Sequence, residues 1–200
     1  MPLSESINEA LLTIRPGEKA WNLVLDTTEI EVNPITYPID GLLIYYLTAL
    51  NGDIFIHGSG VEIEGKGMLF SGISGKGKTT IAGIFNEAGA RVIHDDRMII
   101  RKKDGKFYMY NTPVYNNEIR SSSELKRIYL LEHSDTNNSE SLNKLDALTA
   151  VMANCIQHHW NSYLIGLLSG SLMNLTENVE IKRLGFVPDK SVIDFILSDE

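Results

Sequence analysis

Residues 20 to 32, AWNLVLDTTEIEV, alternate apolar and polar positions with the two-residue period of a half-buried strand. Pro34 and Pro38 then introduce Ile39 to Leu50, an apolar segment of helical length. Asn51-Gly52-Asp53 predicts a turn, and IFIHGSGVEIEGKGMLFSG reads as two strands joined at Glu64-Gly65-Lys66-Gly67. A helix-like stretch runs from Thr79 to Ala88, with Gly89 as its C′ residue. RVIHDDRMIIRKKDGKFYMYNTP predicts a strand ending in two carboxylates, then a hairpin turned at Asp104-Gly105. Residues 114 to 124 read as an irregular loop and KRIYLLE as another strand; residues 134 to 141, SDTNNSES, read as polar and mobile. One or two helices fill the stretch to about Met173, and VEIKRLGF and KSVIDFIL close the chain as strand and helix. No internal repeat and no separating linker is present, so residues 1–200 are expected to form one α/β domain.

Between the second of the paired strands and the helix lies Gly72-Ile73-Ser74-Gly75-Lys76-Gly77-Lys78-Thr79, a full G-x-x-x-x-G-K-[ST] phosphate loop, followed by Thr80. The motif gains weight from that placement. Its glycines let the backbone curl so that several N–H groups face one anion, and the helix adds the positive end of its dipole. Lys78 is positioned to reach the β- and γ-phosphates and the Thr79 hydroxyl to ligate Mg²⁺, which makes a nucleoside triphosphate the expected ligand.

Composition narrows the partners. A formal charge of −8 and a pI near 5.1 supply no Lys/Arg surplus for a nucleic-acid backbone. The single cysteine, Cys155, excludes an internal disulfide framework and suits a reducing compartment. No apolar run approaches membrane-spanning length, and MPLSESINEALL lacks a signal-peptide pattern, so the expected protein is soluble and cytoplasmic, with no membrane partner. His158-His159-Trp160 is discounted as a metal site, because adjacent histidines on a helix face different ways and no carboxylate recurs four residues on. Tyr45-Tyr46 reads as core, and Arg101-Lys102-Lys103 as the solvated end of a hairpin.

Two further motifs flank the loop: His57-Gly58-Ser59-Gly60-Val61 before it and His94-Asp95-Asp96 after it. A strand that follows the loop helix and ends in an acid is where nucleotide-binding folds place a Mg²⁺-facing carboxylate. Adjacent aspartates on an extended backbone point in different directions, so one can address metal and the other an acceptor hydroxyl.

In these motifs the chain resembles the catalytic domain of HPr kinase/phosphorylase and its shorter kinase relatives, some of which phosphorylate serine on lasso-peptide precursors. HGSGV is similar to that family's H-x-S-G-V, GISGKGKT to its G-x-S-G-x-G-K-[ST], and ARVIHDD to its strand ending Ala-Asp-Asp; Asn117-Glu118-Ile119-Arg120 matches its Glu-[Ile/Val]-Arg signature. Together they span residues 39–132, the expected catalytic core. The resemblance implies a phosphoenolpyruvate-carboxykinase-like phosphate-loop fold, a twisted mixed β-sheet with flanking helices. It implies that Asp96 accepts a proton from a serine-like hydroxyl, assisted by Asp95 and His57, while Lys78 stabilises the transferring phosphoryl group. Thr79, Glu118 and Asp95 are then the magnesium ligands, and Arg120 is a clamp for a phosphate or an acidic acceptor. The family's frequent hexamers make a homo-oligomer possible. Two departures stand out: His94 replaces a small residue, and SSSELK replaces a glycine-rich continuation after Arg120. The expected activity is transfer of the γ-phosphoryl of ATP, with Mg²⁺, to a seryl hydroxyl of a peptide or small protein. A nucleotide sensor without transfer, and a kinase for a small metabolite such as free serine, are the alternatives.

Overall fold

In the computed structural model, which describes residues 7–15, 17–18, 20–28, 39–112, 119–157 and 161–199, a hairpin of β1 (Ile7–Thr13) and β2 (Asn22–Thr27) precedes α1 (Ile39–Leu50). The helix has the bounds its apolar run predicts. The strand β3 (Ile54–Ile63) turns into β4 (Lys66–Ser71) through Glu64 and Gly65, whose φ values of 53° and 75° are the left-handed backbone a two-residue hairpin needs. The phosphate loop follows, then α2 (Lys78–Glu87). Gly89, at φ 89°, ends that helix with N–H bonds from Gly89 to Asn86 O and from Ala90 to Phe85 O, a Schellman cap.

Next come β5 (Arg91–His94), β6 (Arg97–Lys103) and β7 (Lys106–Asn111), the last two turned at Asp104 and Gly105 as expected. The chain continues through β8 (Ser122–His133), β9 (Asn138–Ser141), α3 (Lys144–Met152), α4 (Ser162–Asn178), β10 (Glu180–Phe186) and α5 (Ser191–Ser198). The strands pair in the order β4-β3-β6-β7-β8-β10-β9, and β4 also pairs with β8, closing a ring of five strands. Pairing is parallel for β4–β8 and β8–β10 and antiparallel elsewhere, so the sheet is mixed and flanked by helices, as the sequence predicts.

Alternation along the strands sorts the core into two layers. Along β4, Met68 and Phe70 join Ile81, Ala82 and Phe85 of α2 and Val192, Ile193 and Ile196 of α5; Leu69 points instead toward Val151 of α3 and Leu168 and Leu172 of α4. Phe70 stacks on Tyr129 of β8 with centroids 5.6 Å apart. Burying a side chain such as Phe85 stabilises the α2 packing by about 2–3 kcal/mol. A third cluster seats Ile44, Tyr45 and Ala49 of α1 against Phe55 and Leu164. Tyr45 is core as expected, while Tyr46 packs at its margin. Among the described residues, no helix is long and apolar enough to cross a membrane.

Several expectations need correction. The polar stretch 134–141 contains β9, which pairs with β10 through its backbone, with Glu140 meeting Arg183 and Ser141 Oγ donating to Glu180; its polar side chains suit an exposed sheet edge. The irregular loop expected over 114–124 ends earlier, because Ser122 and Ser123 already pair with Tyr110 and Met109 of β7. Serines are in place there because Ser123 donates to Glu62 from its inner face. Arg101 is not simply a solvated hairpin residue: its Nε donates at 2.9 Å to the buried carboxylate of Asp53. The strand β1 had no counterpart in the sequence pattern.

Close approach of backbones leaves room only for hydrogen at Gly67, where a Cβ would lie 2.2 Å from Glu124 O. We expect Gly67→Ala to lower the unfolding free energy by about 3 kcal/mol. In contrast Gly83→Ala, within α2 and facing open space, should raise it by about 0.5–1 kcal/mol. Denaturant midpoints of the two variants read both signs.

Candidate active site

The site is organised by two residues of β3. On one edge Gly58 and Ser59 pair with Ser71 and Phe70, the end of β4 that leads into the phosphate loop. On the other edge the register runs from His57 opposite Arg97 to Gly60 opposite His94, which sets Gly58 against Asp96 and Ser59 against Asp95. The expected strand end is therefore an interruption within one long strand, β5 continuing as β6 along the same neighbour. With two strand spacings between them, the aspartates and the start of the loop are about 10 Å apart.

Asp96 makes the interruption: its φ is 87°, left-handed backbone that a non-glycine residue adopts at a cost of about 1–3 kcal/mol. Gly58 N–H donates to its carbonyl at 3.2 Å, and Asp96 N–H donates to Asp95 Oδ1 at 3.0 Å. Ser59 Oγ, fully buried, donates to the same Oδ1. The carboxylate of Asp96 lies between His57, whose Nδ1 is 3.8 Å from Oδ1, and Arg97, whose Nε is 3.4 Å from Oδ2. His57 and Asp96 are about half exposed, at 48% and 54% of their side-chain surface. His57 is fixed through its backbone, its N–H donating to Asn154 O and its carbonyl accepting from Ser71 Oγ at 2.6 Å.

In the loop, Gly75 and Gly77 are left-handed at φ 85° and 91°, and a Cβ at Gly77 would meet the Phe186 ring at 2.9 Å. Lys78 folds over the loop and donates to Gly72 O at 2.7 Å and Ile73 O at 3.2 Å. Gly77 caps α2 without a side-chain bond, and the first turn carries no acid. Among the described residues no acceptor meets the N–H groups of Gly75, Gly77, Lys78 and Thr79. An uncapped helix start beside a curled backbone fits an anion such as a phosphate. Thr79 and Thr80 are exposed on that first turn. The Thr79 hydroxyl and Asp95 Oδ2 are oxygen donors of the kind magnesium takes alongside phosphate. Glu118, named as a further ligand, lies outside the described residues, as do His158, His159 and Trp160.

Arg120 is exposed, on a segment tied down at both sides: Asn111 Nδ2 donates to Ile119 O, and Arg91 Nη1 donates to Ser121 Oγ at 2.9 Å. His94 is buried, shares a bond with Thr112 Oγ1, and is held below the ordinary histidine range by that burial. It is a strand residue beneath Asp95 and not a group at the site's mouth. Burial pushes the Cys155 thiol up to about 12, which removes it as a nucleophile. Sequence reasoning passed over Ser59, Arg97 and Ser71. Only Ser59 carried a signal, as the fixed serine of the HGSGV run.

The fold and site define a phosphate-loop protein with a paired-aspartate strand. Residues 24–184 match the model of the family described as SynChlorMet cassette protein ScmC, and the chain belongs to that family. It is also 39% identical over 133 residues to the HPr kinase/phosphorylase of Lactobacillus acidophilus (strain ATCC 700396 / NCK56 / N2 / NCFM), bearing out the likeness read from the motifs. That alignment covers 66% of this chain and 37% of the relative, so the chain spans little more than a third of its length. Among solved structures it is similar to the Hpr(Ser) kinase/phosphatase from Coxiella burnetii, with a TM-score of 0.43 and 10% identity over 72% of this chain and 94% of that one.

The Arg120 segment is anchored to β3 through Glu62, whose carboxyl is held below its ordinary 4.5 by the Ser123 hydroxyl first and Arg91 after it, against the effect of burial. Its folded pKa lies below the unfolded one, so this stabilisation is complete above 4.5 and is lost as pH falls through the folded value. Glu62→Gln is expected to be less stable than the wild type at neutral pH, and the gap should close in denaturation midpoints taken below pH 4.5.

Proposed function

We propose that the chain is an ATP-dependent phosphotransferase that moves the γ-phosphoryl group onto a serine-type hydroxyl of a peptide or small protein. Residues 1–200 are read as one catalytic domain with its core in 39–132. The observation that carries this reading is the double pairing of Gly58 and Ser59, one edge leading into the phosphate loop and the other carrying both aspartates. Phosphoryl transfer asks little covalent chemistry of the protein and much positioning and charge neutralisation.

In this reading the N–H groups of Gly75, Gly77, Lys78 and Thr79 hold the phosphates, and the Lys78 ammonium leaves the loop carbonyls to neutralise the γ-phosphoryl. Magnesium, when bound, neutralises further phosphate charge, and Thr79, Asp95 and Glu118 are the residues that would hold it. The Asp96 carboxylate takes the proton of the incoming hydroxyl, whose oxygen bonds to phosphorus as the bond to the ADP oxygen breaks. His57 and Arg97, one beside each carboxylate oxygen, hold Asp96 in place. Arg120 is assigned to a phosphate or to acidic groups of the acceptor. The half-open setting of His57 and Asp96 favours an acceptor that reaches in from outside, as a residue of a peptide does.

With γ-labelled ATP and Mg²⁺, seryl peptides, free serine and small acidic proteins are the acceptors to compare. Lys78→Met and Asp96→Asn should each cut transfer at least about 100-fold, with ATP affinity in Asp96→Asn kept within about threefold. Transfer that survives either substitution would sink the assignment, and tight ATP binding with no label on any acceptor would favour a sensor.

A further inference from the structure

Ser59 is fully buried between two glycines of β3, a place where an apolar residue would ordinarily sit in a strand. Its hydroxyl has one acceptor, Asp95 Oδ1. That oxygen also accepts the Asp96 N–H at 3.0 Å. Two donors on one oxygen fix the Asp95 carboxylate and leave Oδ2 as its remaining acceptor. The same bond closes a small ring around the left-handed Asp96, whose carbonyl is held from the other side by Gly58 N–H at 3.2 Å. Asp96 therefore keeps a strained backbone through Asp95 Oδ1 on its N–H and through Gly58 N–H and His57 Nδ1, the latter at 3.3 Å, on its carbonyl, and its side chain, in contrast to that of Asp95, stays about half exposed between His57 and Arg97.

We propose that Ser59 is a positioning residue for phosphoryl transfer: acting through Asp95, it holds Asp96 left-handed and so divides the two aspartates by role. Asp95 is the clamped carboxylate, able to face a cation only through Oδ2. Asp96 is the free carboxylate, presented to the hydroxyl. Without the Ser59 hydroxyl, Asp95 turns away, the Asp96 N–H loses its acceptor, and the interruption relaxes toward ordinary strand, in which Asp96 no longer faces the acceptor. This inference rests on the phosphotransferase reading, yet its structural half can be tested without any acceptor.

The test compares Ser59→Ala and Asp95→Asn in the full chain. Asparagine keeps an oxygen for both donors, so Asp95→Asn tests charge while Ser59→Ala tests the clamp. In Ser59→Ala, hydrogen exchange at the Asp96 amide followed by NMR should accelerate about tenfold, the loss of roughly one hydrogen bond. Asp95→Asn should keep that amide protected. In transfer assays Ser59→Ala should lower kcat between about ten- and a hundredfold, with KM for the acceptor and the affinity for ATP within about twofold. Unchanged Asp96 exchange in Ser59→Ala, or unchanged kcat, overturns the proposal. A parallel fall in kcat and ATP affinity also overturns it, since that is general loss of structure. Should the wild type transfer to no acceptor, the phosphotransferase reading fails, and the exchange measurement still decides whether Ser59 sets the conformation of Asp96.

Discussion

The approach of β4 to β3 at Gly58 is the constraint on which the site depends. A side chain there would begin 2.8 Å from Leu69 Cδ1 and 3.0 Å from Phe70 O, so only glycine permits the two strands to pair at this height. On the far edge the same residue's N–H reaches Asp96 O. One residue without a side chain thus sets the separation between the phosphate loop and the aspartates, and the hydrogen bonds of β3 keep it from varying. Ser71 reinforces this from β4 by bonding to the carbonyl of His57. Preorganisation of this kind matters more for phosphoryl transfer than any single strong interaction.

Charge is arranged around that frame with few exposed ions acting alone. Asp96 meets His57 on one oxygen and Arg97 on the other, while Lys78 is occupied by loop carbonyls. The chain's overall negative charge therefore does not describe the phosphate loop, where backbone N–H groups at the start of α2, unmet among the described residues, suit an anion with Lys78 beside them.

Much of the site was legible in the sequence because its parts are local. Phosphate loop, left-handed turn residues, C′ glycine and α1 each depend on neighbours a few positions away, and each lies where the sequence reading puts it. What escaped depends on distant partners. Nothing in SDTNNSES signals a strand, since its pairing is supplied by β10 more than forty residues later. The serines opening β8 look like loop until Glu62 and β7 are placed beside them. The adjacent aspartates were visible as a pair, but their division into a clamped and a presented carboxylate needed the register of β3, which no local pattern encodes. Arg97 was hidden for the same reason: its partner is fixed by the turn of Asp96.

The closed ring of strands bears on how the molecule comes together. His57, the phosphate loop, α2 and both aspartates lie within about forty consecutive residues, joined by a hairpin and a short helix, so these contacts span little chain. Sealing the ring requires β4 to find β8 nearly sixty residues away, in parallel, a slow kind of pairing. The chemical centre can thus assemble as a local unit while the closure that stabilises it comes late. The segments bearing Arg120, α3 and α4 lie outside that unit, so their surfaces can change without altering the local contacts that set the aspartates beside the phosphate loop.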